Sequence, residues 1–253
     1  MRLLFQQSVT GRLMTATHRA PRRSRTGEVE LSAEVNRWHQ KILWMVGRLR
    51  RVYGLNMHGN LKNPTDELFY VMLSKRTQPD RYRPAFEMLS RRFRPWEKLL
   101  TARTRAIATV LHNLGMSAVR AEQFKRIAGR LASDFGEVSL ESLRDLDVAA
   151  AKAYLTSLPG VGEKIARCVL MYSFGHDLSP MDTHATRVMV RFGLLPKGTS
   201  PERSYRIVDT RMPKGLSLPV HVTLISHGRA ICKPRRPLCN ECPITQKCPR
   251  TGV

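Results

Sequence analysis

Hydrophobic and polar positions along the chain repeat with a helical period; strand-like alternation is scarce and no internal repeat appears. Ser32 can cap a first helix reaching about Val52, in which Val35, Trp38, Ile42, Met45, Val46 and Leu49 recur near helical spacing. Arg48, Arg50 and Arg51 load its end with cations, which suits the negative pole of the helix dipole. Residues 53–62 form a connection, and Asn63-Pro64 reads as N-cap and first residue of the next helix. That helix is apolar almost all round through Leu73, the pattern of an element buried on most sides. It leaves through Ser74-Lys75-Arg76-Thr77-Gln78, a polar and cationic exit. Further helices are expected over about 83–93, 95–113 with a break near Thr101, 117–135 and 147–157, with Gly115 and Gly136 where stops belong. The last ones span about 163–174, 182–192, a stretch opening at Pro201, and 218–231. Connections this short predict an all-α bundle.

The most informative stretch is Leu158-Pro159-Gly160-Val161-Gly162-Glu163-Lys164. Two glycines flanking one residue, ahead of a helix, allow a tight turn with bare N–H groups. The helix N-terminus adds partial positive charge, and together these make a phosphate cradle. Lys164 stands in the first helical turn, and Asp182 opens a helix eighteen residues on. An attacking lysine must be neutral, against an ordinary pKa of about 10.4. Partial burial and a helix N-terminus both disfavour the ammonium, so a lowered amine is expected at Lys164. Such an amine can attack a sugar C1′, displace the base and leave a Schiff base, after which β-elimination cuts the strand. Asp182 can stabilise the cationic sugar or relay the lysine proton. The target base must first leave the stack, and the exit at Lys75-Arg76 is a natural source of side chains to fill the gap. The plainer alternatives are a lysine that only contacts phosphate and an aspartate that only caps a helix.

Charge points the same way. The 253 residues carry 43 Lys+Arg against 20 Asp+Glu, a net +23 spread over the whole length. Such an excess favours a polyanionic partner, nucleic acid first, although a ribosomal or merely soluble basic protein shares it. An apolar content of 42% excludes a wholly disordered basic chain. No apolar run approaches the roughly 18 residues that span a bilayer, so no membrane partner is expected. Residues 1–28 read as a disordered basic arm, with a transit peptide or a start at Met14 as alternatives. The expected compartment is the bacterial cytoplasm (nucleoid), or the nucleus or mitochondrion of a eukaryote, and the chain is expected to be a monomer.

Four of the five cysteines, Cys232, Cys239, Cys242 and Cys248, make C-x6-C-x2-C-x5-C near the end of the chain. Thiolates so spaced wrap a compact soft-metal site. Structural zinc usually takes two close pairs, and only Cys239 and Cys242 form one. The spacing therefore favours a [4Fe–4S] cluster over zinc. Lys233-Pro234-Arg235-Arg236-Pro237 within the first gap is cationic and stiff, suited to a phosphate backbone. Cys168, on the apolar face with Ile165, Val169 and Tyr172, reads as a core residue.

Taken together, the hairpin with Ile165-Ala166, Met181-Asp182-Thr183-His184, His227-Gly228-Arg229 and the cysteine loop resemble endonuclease III, the iron–sulfur branch of the helix-hairpin-helix DNA glycosylases. The resemblance runs from about Asn63 to Cys248. It implies two lobes, a six-helix barrel over 64–183 and a cluster lobe from 29–63 and 184–253, with duplex DNA carrying a damaged or modified base in the cleft between. It maps the nucleophile onto Lys164 and its partner onto Asp182. Adenine-removing relatives of the MutY type lack the lysine, so Lys164 implies a bifunctional glycosylase and AP lyase. Contacts to DNA are expected from Leu158, Gly160, Val161 and Gly162, from Lys75, Arg76, Thr77 and Gln78, from His184, and from Lys233, Arg235 and Arg236. Where endonuclease III carries a gap-filling glutamine, this chain has Arg76. The stretches around Ser139–Asp145, Ala151–Leu155 and Arg187–Leu195 are similar to DEMETER-type 5-methylcytosine glycosylases. The expected substrate is an oxidised or ring-saturated pyrimidine, with 5-hydroxymethyluracil or 5-methylcytosine as the alternative. A non-catalytic DNA-binding iron–sulfur protein is the rival of another class, and a zinc-bearing RNA or ribosomal binder a third.

Overall fold

The computed structural model describes residues 25–253, with side chains from Ser32 onward. Of the arm expected over 1–28, residues 1–24 lie outside the described residues, and 25–28 already belong to the first helix, α1 (Arg25–Tyr53). Ser32 is therefore interior to a helix and not its cap. Every further regular element is a helix, and no strand occurs among the described residues. None of these helices is long and apolar enough to cross a membrane.

Asn63 caps α2 (Pro64–Ser74) by accepting from the N–H groups of Thr65 and Asp66, with Pro64 at the first position. Nine of its eleven residues are buried. Leu68, Phe69 and Leu73 are wholly enclosed, each contributing about 2–3 kcal/mol by burial. Then come α3 (Pro79–Phe93), α4 (Lys98–Thr101), α5 (Thr104–Val110), α6 (Ser117–Phe135), α7 (Val148–Ser157) and α8 (Glu163–Tyr172). α3 starts four residues ahead of expectation, because Pro79, not Pro84, opens it and Pro84 is carried inside. The break expected near Thr101 falls at Ala102–Arg103, between α4 and α5. Together α2 to α8 enclose one core, centred on Phe69, Leu89, Phe124, Leu131 and Leu155.

The second core joins distant parts of the chain. It packs Trp38, Ile42, Met45 and Leu49 of α1 against α9 (Thr183–Arg191), α10 (Pro201–Arg211), α11 (Ser217–Ala230) and the cysteine loop. Trp38 Nε1 donates to Leu194 O at 2.9 Å, a bond closing 156 residues of sequence.

One ion pair ties the two cores. Arg167 of α8 is buried, yet its guanidinium grips Asp209 of α10 through two bonds of 2.7 and 2.6 Å. It also donates to Glu163 at 2.7 Å and lies over the Tyr205 ring at 4.3 Å. A bidentate arginine–carboxylate pair fixes direction as well as distance. Asp209→Ala strands two donors of a buried cation, and chemical denaturation is expected to show a loss of about 1–3 kcal/mol.

Candidate active site

The hairpin is built by burying its side chains and baring its backbone. Leu158 and Val161 are 2% and 6% exposed and belong to the first core. They anchor the turn, and only their main chain faces outward. Val161 N–H closes the turn onto Leu158 O at 3.1 Å. Gly160 sits at φ +80°, a left-handed geometry that favours glycine. Gly162 does not need that freedom, since its φ of −103° and ψ of 176° are ordinary extended values. A Cβ on Gly162 would meet nothing within 4 Å, so this glycine leaves room for a ligand. Among the described residues, the N–H groups of Gly160, Gly162, Glu163 and Lys164 have no hydrogen-bond partner. Unpaired donors at a helix start are an anion site. Gly162→Ala is expected to cost at most about 1 kcal/mol of stability while weakening duplex affinity several-fold. Unchanged affinity in a titration would show that no phosphate approaches there.

Lys164 projects from the first turn of α8 with its amine enclosed by Glu67, Cys168 and Asp182, although the residue as a whole is only half-buried. Burial alone would lower the amine. Against burial act a hydrogen bond to Cys168 and the negative charge of Asp182, and the balance holds Lys164 above its ordinary value. This corrects the lowered amine expected from sequence, which does not show Asp182 folding back beside it. Burial pushes the Cys168 thiol up to about 12, so near neutrality it is uncharged. Burial also drives the wholly enclosed Glu67 well above the carboxylate range. Asp182 is the one that stays ionised. Burial opposes this, but the charges of His221 and Lys164 and the Ala185 N–H hold it below its ordinary value. Because burial takes His221 down to about 4, the Lys164 ammonium and the amide do most of that work near neutrality.

Asp182 is also a cap, its Oδ1 accepting from Ala185 N–H at 2.8 Å. Oδ2 has no hydrogen-bond partner among the described residues, so capping occupies only half of the carboxylate.

Both residues line a cleft of about 1010 Å³ walled by elements of both cores. The same cleft takes in Lys75, Arg76, Thr77 and Gln78 at the exit of α2, together with Gly162, His184 and Lys233. It does not take in Leu158, Gly160, Val161, Arg235 or Arg236. Arg235 and Arg236 are exposed on the loop beyond Lys233. Sequence reading gave no site role to Tyr70, Tyr82, Tyr172, His221 or Arg229, which also line the cleft. Only Arg229 had a signal, a cation ending an apolar helix.

The four thiols of Cys232, Cys239, Cys242 and Cys248 line one cavity, with Val188, Ile231 and Ile244 as its apolar wall. Arg191 Nη1 donates to Cys232 Sγ at 3.4 Å and to Lys233 O at 2.6 Å, and Nη2 donates to Pro234 O at 3.0 Å. Arg187, one turn earlier, donates from Nε to Cys232 O at 2.9 Å. His227 Nε2 lies 3.6 Å from Cys242 Sγ, and its Nδ1 meets the Tyr53 hydroxyl at 3.1 Å. N–H groups directed at sulfur stabilise thiolate charge. No group of three or more His, Cys, Asp or Glu among the described residues is placed to hold a single ion. Four thiols around a shared space, with donors behind them, are a donor set that fits an iron–sulfur group.

No family model matches the chain. It is 30% identical over 186 residues to endonuclease III of Thermotoga maritima, covering 74% of this chain and 83% of that protein. The chain belongs to the endonuclease III family of DNA glycosylases. Protein ROS1C of Oryza sativa is likewise 30% identical over 170 residues, which is 60% of this chain but only 9% of that much longer protein. The endonuclease III fold is shared with a solved non-covalent endonuclease III–DNA complex, at a TM-score of 0.74 and 22% identity over 84% of this chain and 95% of that one.

Proposed function

We propose that this chain is a bifunctional DNA glycosylase and AP lyase that removes a modified pyrimidine from duplex DNA. The observation that carries this reading is one cleft lined by Lys164, by ionised Asp182 and by the cationic exit of α2. The unpaired hairpin N–H groups hold a backbone phosphate. The damaged nucleotide turns out of the stack into the cleft. The Lys164 amine, once deprotonated, bonds to C1′; the C1′–N bond breaks and its electron pair leaves with the base, which takes up a proton. Asp182 lies where positive charge develops on the sugar. The C1′ adduct opens to a protonated imine. Loss of a C2′ proton then breaks the C3′–O bond and cuts the strand, and water frees Lys164.

Cys232, Cys239, Cys242 and Cys248 would hold a [4Fe–4S] cluster. When bound, such a cluster would supply a rigid anchor for the loop carrying Lys233, Arg235 and Arg236. Iron and sulfide analysis of protein purified without oxygen is expected to give four of each per chain.

Single-lesion duplexes test the substrate. An oxidised or ring-saturated pyrimidine is expected to be excised fastest. The similarity to ROS1C favours a second reading, a 5-substituted pyrimidine such as 5-hydroxymethyluracil or 5-methylcytosine. Faster excision of those would select it, and excision of neither class would remove the pyrimidine assignment.

A further inference from the structure

Arg120, in the first turn of α6, is 7% exposed. A cation there opposes the dipole of its own helix, and Arg120 forms no ion pair among the described residues. Its guanidinium reaches across to the end of α2. Nη1 donates to Met72 O at 2.7 Å, and Nη2 donates to Lys75 O at 2.8 Å and Thr77 Oγ1 at 3.4 Å. Nε donates to Gly115 O at 3.2 Å. Between the gripped residues stands Arg76, exposed and at φ +56°, a left-handed conformation that a side-chain-bearing residue adopts at a cost of about 1–3 kcal/mol. Met116, beside Gly115, is also left-handed, at φ +51°.

The position of Arg120 makes sense if the turn must not relax. Met72 O, at the negative end of the α2 dipole, takes only a long 3.4 Å bond from Lys75 N–H, and Lys75 O lies one residue past the helix. A lysine could answer one of them. A planar fork answers both at once and fixes their relative orientation. We propose that Arg120 is a positioning residue, which locks the turn 75–77 so that Arg76 is held toward the space a flipped base vacates. This inference rests on the base-flipping reading of the cleft. Arg120 itself touches neither nucleophile nor sugar.

The test compares Arg120→Leu, Arg120→Lys, Arg76→Ala and the double variant Arg76→Ala/Arg120→Leu. Two single-turnover rates are read, excision from a lesion duplex and β-elimination at a preformed abasic site, where no base need be flipped. Arg120→Leu is expected to slow excision by about 100-fold, the scale of a 1 Å misplacement, with abasic cleavage nearly unchanged. In the double variant the two losses should not add, because both act through the same side chain. Equal losses on both substrates, or full additivity, would overturn the proposal. Should the leucine variant fail to fold, Arg120→Lys decides. It keeps the charge but not the fork, so trypsin should cut faster after Lys75 and Arg76 at an unchanged melting temperature. An unchanged cleavage rate would overturn the proposal, and this readout needs no enzymatic activity. A wild-type chain that neither excises nor traps abasic DNA would instead defeat the glycosylase reading.

Discussion

Lys164→Ala is expected to slow base excision by on the order of 10⁴-fold or more, because it removes a nucleophile held in place beside its target. Duplex affinity should change little, since the phosphate contacts proposed for the hairpin amides and the cationic rim do not involve this amine. The structure also says in which form the wild-type amine waits. With ionised Asp182 nearby, the free enzyme stores Lys164 as ammonium, above its ordinary value. Only the deprotonated fraction reacts, so the excision rate should rise about tenfold per pH unit across the neutral and mildly alkaline range. A flat profile there would place proton loss outside the reaction.

The second large effect belongs to Asp182→Asn. Asparagine caps a helix as well as aspartate, so the Ala185 N–H keeps its acceptor and α9 its start. What disappears is the negative charge. Turnover should fall by about 10²–10³-fold, the usual cost of removing a preorganised electrostatic group. Binding to a lesion duplex should persist. The sign of the pH effect follows from the causes acting on Lys164: Asp182 raises the amine and burial lowers it. Without Asp182 the amine titrates lower, so the rising limb of the profile should move toward acid even as its plateau drops. A purely structural aspartate would show an unshifted profile, with binding and turnover lost together.

Much of the fold and of the site is legible in the amino-acid sequence alone. Asn63-Pro64 and Pro201 announce helix starts, and the structure caps those helices with Asn63 and Ser200. Gly136 marks the end of α6 because a left-handed residue is wanted at that point. The hairpin, Lys164, Asp182 and the four cysteines are readable because each is a local signal of spacing or residue type. The start of α3 is less legible, since a proline looks the same in sequence whether it opens a helix, as Pro79 does, or is carried within one, as Pro84 is.

What stays hidden depends on contacts distant in sequence. Nothing in the segment around Glu67 says that this acid lies wholly buried under a lysine 97 residues further on. The same holds for Arg167 and Asp209, and for Arg120, which crosses to the end of α2. The Lys164 shift runs opposite to the sequence expectation for this reason. A helix N-terminus and burial can be read from sequence, while Asp182, which with Cys168 acts against burial, is brought beside the amine by the fold. The side chains of Leu158 and Val161 likewise belong to the core, because the turn buries apolar side chains to hold its amides outward.

The most direct measurement is borohydride reduction during incubation with duplex DNA containing an abasic site, followed by peptide mapping of the covalent product. A Schiff base at Lys164 predicts one DNA-bearing peptide linked through that residue, and none from the Lys164→Ala chain. A product linked through another lysine, or no product from wild-type protein with either abasic or lesion DNA, would contradict the role given to Lys164.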